Sequence, residues 1–97
     1  MGDKKEKQHY VLAITKVLPD DIDTDLDALV EKISEVLKPL NTIVEASRKE
    51  PIAYGLSALI VRLVIPEETV GGTQPAEDAI QSLEEVQRVE VSMVSRI

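Results

Sequence analysis

The chain has no cysteine, no phenylalanine and no tryptophan, and its only aromatic residues are Tyr10 and Tyr54. Without cysteine, disulfides, zinc–thiolate sites, iron–sulfur clusters and thiol nucleophiles are excluded together. Two aromatics give little on which to stack bases and few large interface anchors. Cations are also in the minority: 11 Lys and Arg against 18 Asp and Glu leave a net charge of −7. That balance disfavours bare nucleic acid and anionic lipid, both of which require a basic patch. Long apolar runs are missing too. The longest, Leu56 to Ile65, is interrupted by Ser57 and Arg62 and is too short to span a bilayer. The opening residues Met1 to Lys7 carry no hydrophobic segment of the signal-peptide kind. Glu6 stands where a myristoylation motif wants Ser or Thr. The expectation is a soluble, cytoplasmic protein whose partner is another protein.

What is present is a chain of 97 residues, 43% apolar, enough for one core and no second. Residues 1–8 read as a charged flexible leader, and residues 9–97 as a single domain. His9 to Val17 is β-branched and apolar and stops at Pro19, which predicts a first strand. The acidic run Asp20 to Asp25 leads into Leu26, Leu29, Val30, Ile33 and Leu37, one helical face ended by Pro39. Thr42 to Lys49 predicts a more polar strand, with a break at Glu50-Pro51. Leu56 to Ile65 predicts a strand that is apolar on both faces. Thr73 as N-cap and Pro75 in the first turn open a second helix through Ala76, Ala79, Ile80 and Leu83. Val86 to Ile97 closes the chain as a strand, with Val89, Val91, Met93 and Ile97 expected on one face and Arg96 on the other.

The order β-α-β-β-α-β is the split βαβ, or ferredoxin-like, α+β arrangement. Right-handed crossovers give a four-stranded antiparallel sheet of order 4-1-3-2, with two helices on one face. The two most apolar strands then sit in the centre. The edges carry Glu45, Arg48, Lys49, Arg88, Glu90 and Arg96, charges that discourage edge-to-edge pairing. The expectation drawn from this topology is that the Glu50–Leu56 turn and the C-terminal Ser95-Arg96-Ile97 share one rim, roughly 10 Å apart.

Most candidate motifs have a structural explanation. Asp21, Asp23 and Asp25 have the spacing of a calcium loop, but Leu26 replaces its glycine and Lys32 its final glutamate. Helix capping and dipole complementation explain these carboxylates. Val70-Gly71-Gly72-Thr73 precedes a helix without the Lys-Ser/Thr pair of a P-loop and reads as a turn. His9, the sole histidine, has no serine or paired carboxylate in a triad-like relation to it. No catalytic, metal or cofactor site is expected. Glu50 to Leu56 differs, because it sets one of the two aromatics in a turn, between Ala53 and Gly55.

The segment Glu50-Pro51-Ile52-Ala53-Tyr54-Gly55-Leu56-Ser57-Ala58-Leu59, followed by Val70-Gly71-Gly72-Thr73, resembles the archaeal elongation factor 1-beta family of guanine-nucleotide exchange factors. The similarity runs from about His9 to Ile97. The resemblance implies exchange of GDP for GTP on elongation factor 1-alpha, without covalent chemistry and with GDP and magnesium held by the partner. It further implies a partner-binding set of Pro51, Ile52, Tyr54, Gly55, Ser95, Arg96 and Ile97. In that set Tyr54 contacts the GTPase and Arg96 reaches toward its magnesium and phosphate site. Eukaryotic members carry a lysine pair where this chain has Ser57-Ala58, and a penultimate lysine where it has Arg96. A guanidinium is broader than an ammonium and differs in its donors.

A second reading of the same element order is an ACT-like regulatory domain that binds a small molecule. An acylphosphatase reading lacks a matching Arg and Asn cradle. An RNA-recognition reading lacks aromatics on Leu56 to Ile65.

Overall fold

The computed structural model describes residues 9–96, so the expected leader 1–8 and Ile97 lie outside the described residues. The elements are β1 (Tyr10–Pro19), α1 (Leu26–Leu37), β2 (Ile43–Ala53), β3 (Leu56–Pro66), α2 (Gln74–Gln81) and β4 (Val86–Arg96). One antiparallel sheet has the order β2-β3-β1-β4. This is the ferredoxin-like arrangement predicted above, with the two most apolar strands in the centre.

The helices form where the apolar period and the caps agree. Asp25 closes the start of α1, its carboxylate accepting from the amides of Asp27 and Ala28 at 3.1 and 3.2 Å. Asp21 accepts from the Asp23 amide in the same way. Two carboxylates of the calcium-like run are thus occupied with backbone donors, as capping requires. Pro39 does not stop the chain abruptly, because a single 3-10 turn over Lys38–Leu40 follows α1. Thr73 departs from expectation. It stands at the cap of α2 with helical φ/ψ and caps no amide; its hydroxyl donates instead to the Glu77 carboxylate, 2.7 Å away. Pro75 lies in the first turn as predicted, where its missing N–H costs nothing.

Leu29, Ile33 and Leu37 of α1 and Ala76 and Ile80 of α2 pack on Ala13, Val17, Leu59, Val61, Leu63 and Ile65, closing the core. Thr15, fully buried in the same layer, has a hydroxyl without a hydrogen-bond partner. Across the helix layer, Lys32 of α1 is ion-paired to Glu85, just before β4.

Two strands differ from the sequence expectation. β2 does not break at Glu50-Pro51 but runs through to Ala53. A strand tolerates proline there because, among the described residues, β2 is an edge with no outer neighbour asking for the missing N–H. β4 does not alternate along its whole length. Val91 faces Thr15 and Met93 faces Ile14, so Ser92 is an extra residue, a β-bulge. Its hydroxyl donates to the Ile14 carbonyl at 3.1 Å. Residues directly opposite each other share a face. Val89 and Val91, opposite Val17 and Thr15, therefore lie on the helix side, and Met93 lies on the open side. Beyond the bulge Arg96 stands opposite Val11, itself opposite the core residue Ile65. Arg96 is thus on the same side as Val89 and Val91, not the reverse.

Candidate partner-binding site

β2 and β3 meet at Ala53 and Leu56, which leaves Tyr54-Gly55 as a two-residue hairpin loop. Both residues have positive φ, 53° and 80°, the requirement of a type I′ turn, whose twist matches that of paired strands. Gly55 adopts this conformation without cost. Tyr54 does not: the left-handed region costs an L-residue roughly 1–2 kcal/mol, and Asn, Asp and Gly are the usual occupants of that position. The tyrosine ring recovers nothing from its own fold, since the residue is 100% exposed. Just before it, the register shifts between Pro51 and Ala53. This places Ile52 in a bulge, 43% exposed. One end of the sheet thus presents Pro51, Ile52, Tyr54 and Gly55 together.

Arg96 and Ser95 are at the other end. Arg96 is opposite Val11 near the start of β1, whereas Leu59 is opposite Val17 near its end, with Leu56 three residues further out. Some nine residues of strand, roughly 30 Å, separate the two groups. The expectation of a single rim is therefore overturned. β3 runs antiparallel to β1, so the turn that precedes it lies beyond the last residue of β1, while the end of β4 lies beside the first.

Arg96 is not a free cation. Its guanidinium crosses the start of β1 to form an ion pair with Glu67, the residue after β3. Beside this end, Tyr10, Leu40, Asn41, Ile43, Pro66, Glu68 and Thr69 enclose a hollow of about 420 Å³. Gly71 and Gly72, both at positive φ, turn the chain into α2. A smaller groove of about 240 Å³ on the open face is lined by Ile14, Ala46, Ser47, Arg48, Ile60 and Arg62. Its two arginines are paired in place, Arg62 with Glu45 and Arg48 with Glu50.

Among the described residues, no three His, Cys, Asp or Glu side chains are grouped to hold a metal ion, and no helix is long and apolar enough to cross a membrane. The two ends present an exposed ring on a two-residue turn and an ion-paired guanidinium.

A family model described as the EF-1 guanine nucleotide exchange domain matches residues 12–97. A protein named elongation factor 1-beta from Staphylothermus marinus is 47% identical over 87 residues, covering 90% of this chain and 96% of the relative. Proteins of the same name from Hyperthermus butylicus and Methanosarcina barkeri are 45% and 44% identical over 87 residues. In both, the match covers 90% of this chain, with 94% and 97% of the respective relative. The fold, its order of elements and these matches place the chain in the EF-1 guanine nucleotide exchange domain family, a family of nucleotide exchange factors.

Proposed function

We propose that this chain, acting in the cytoplasm, promotes release of GDP from elongation factor 1-alpha by protein–protein contact at both ends of its sheet. The observation that carries the proposal is Tyr54, fully exposed at a φ that disfavours it. A side chain that strains its turn and packs on nothing is placed for something outside the molecule. At the opposite end Arg96 offers guanidinium donors to the phosphate and magnesium region of the partner, which holds both GDP and metal. No covalent step is required. If the factor binds the nucleotide-free GTPase more tightly than the GDP-bound form, linkage makes it weaken GDP binding by the same factor. Family membership favours this reading over an ACT-like regulatory domain.

Because the ends are roughly 30 Å apart, the partner must meet this domain along the length of the sheet. Tyr54, with Pro51, Ile52 and Gly55, anchors one end; Ser95, Arg96 and Ile97 act at the other. The test is release of fluorescent GDP from the cognate elongation factor 1-alpha, with wild-type protein, Tyr54→Ala and Arg96→Ala. Each variant should slow stimulated release about tenfold or more, the loss expected when an interface anchor is truncated. Wild-type rates from both variants would sink the assignment of these residues, and no stimulation by the wild-type protein would sink the function.

A further inference from the structure

Glu67 has no part in the reading above, yet its carboxylate is the group that Arg96 meets. Its backbone is fixed on two sides. The Glu67 amide donates to the His9 carbonyl at 2.9 Å, and the Thr69 amide donates to the Pro66 carbonyl at 3.0 Å. Its side chain is only 30% exposed, and Oε2 is shielded from solvent with no hydrogen bond from the described residues. The Arg96 guanidinium, ion-paired to that oxygen through Nη2, is the charge that compensates it. A carboxylate oxygen withdrawn from water and left unpaired is costly, so the pair favours one position for the guanidinium. The Arg96 side chain is nevertheless 82% exposed. A guanidinium has five N–H donors in a fixed fork. With one nitrogen on Glu67, the other donors belong to a side chain that is largely exposed.

We infer that Glu67 is a positioning residue for Arg96: it holds the guanidinium at the sheet end with its remaining donors presented to an anionic group of the partner. A free arginine carries rotamer entropy that must be given up on docking, whereas one already held gives up less. The alternative sense of the contact, a latch that withdraws Arg96 until the partner pulls it away, predicts the opposite sign. The exposure of the Arg96 side chain favours positioning. The inference rests on Arg96 acting in exchange, and the experiment separates the two.

Stimulated release of fluorescent GDP from the cognate GTPase is measured over a range of factor concentration for wild type, Glu67→Gln, Glu67→Asp, Arg96→Ala and the Glu67→Gln/Arg96→Ala double variant. Circular dichroism confirms that each is folded. Glu67→Gln should lower the maximal release rate about three- to fivefold, the scale of one partly exposed ion pair. The concentration for half-maximal effect should stay unchanged, because the Tyr54 end still docks. Glu67→Asp should recover part of the loss, and Glu67→Gln should have no further effect in the Arg96→Ala background. In the isolated protein, ¹⁵Nε relaxation should show the Arg96 side chain more mobile in Glu67→Gln. A normal or faster rate from Glu67→Gln, with Arg96→Ala slow, overturns positioning and leaves the role of Arg96 standing. A normal rate from Arg96→Ala overturns that role itself. Unchanged mobility of Arg96 in Glu67→Gln overturns the tether, whatever the rates.

Discussion

Tyr54 and Arg96 stand at opposite ends of one sheet, with the length of β1 between them: the Tyr54 turn opens β3, and Arg96 meets Glu67 just beyond its far end. Sites more than about 10 Å apart without common partners act additively to within a few tenths of a kcal/mol. Combining Tyr54→Ala with Arg96→Ala should therefore multiply their separate losses in GDP-release rate. A double variant no slower than the worse single one would mean that the two residues serve a single step at one place.

The strained turn gives a prediction of opposing signs. Tyr54→Asn places a residue suited to positive φ in the type I′ loop and removes no intramolecular packing, since the ring makes none. Unfolding in urea should show the variant more stable by roughly 0.5–1 kcal/mol. GDP release should nevertheless be slower with it. A variant that loses stability would show that the ring supports the fold after all.

Thr15 is the clearest flaw in the core. It lies in the buried layer opposite Val61 and Val91, and its hydroxyl finds no partner. Replacing it with valine keeps the shape and removes the unpaired polar atom, so Thr15→Val should raise unfolding stability by about 1–2 kcal/mol. Ile33→Ala in the same core, where the side chain is wholly enclosed, should lower it by about 2–5 kcal/mol. Equal effects from the two, in either direction, would contradict this picture of the interior.

The Lys32–Glu85 pair sets a pH window. The hydrogen bond from Lys32, followed by one to its own backbone, holds the Glu85 carboxyl below its ordinary range. The hydrogen bond to Glu85, followed by its charge, raises the Lys32 ammonium above its ordinary value. A lowered carboxyl contributes stability above its unfolded value and loses it as pH falls through the folded one. A raised ammonium contributes below its unfolded value and loses it as pH rises through the folded one. The pair should therefore help across neutral pH and fail at both extremes. Because both groups meet solvent, Glu85→Gln should lower Tm by a few degrees at most. The difference from wild type should close in strong acid; a difference that persists there would assign the loss to packing.

Much of this structure was legible in the chain. The spacing of Leu29, Ile33 and Leu37 predicted the buried face of α1, and the apolar runs around Ala13 and Val61 predicted the central strands. The opposite placement of Tyr54 and Arg96 also follows from strand directions alone: β2 runs parallel to β1, so the turn after it lies at the end of β1 and not at its start. Two features left no local mark. Ser92 is compatible with an ordinary strand position, and only its pairing with β1 makes it the inserted residue. That insertion reverses the alternation for every residue beyond it and brings Arg96 to the side of Glu67. Pro51 reads as a stop because proline usually is one, and only the outer position of β2 lets the strand continue. Both depend on what lies beside the strand, which a single sequence does not state. The Glu67–Arg96 pair is hidden for the same reason, since 29 positions separate the two residues.

The scarcity of aromatics has a practical consequence. With no tryptophan and two tyrosines, the near-ultraviolet signal of the protein comes from one ring at each end of the sheet. Tyr10, opposite Pro66, belongs to the end that holds Arg96; Tyr54 is the other. Tyr10→Phe leaves a molecule whose tyrosine emission originates only at the hairpin, and Tyr54→Phe one whose emission originates only beside Arg96. The protein thus carries a native optical label at each end of its sheet, each of which can be followed alone in the isolated protein.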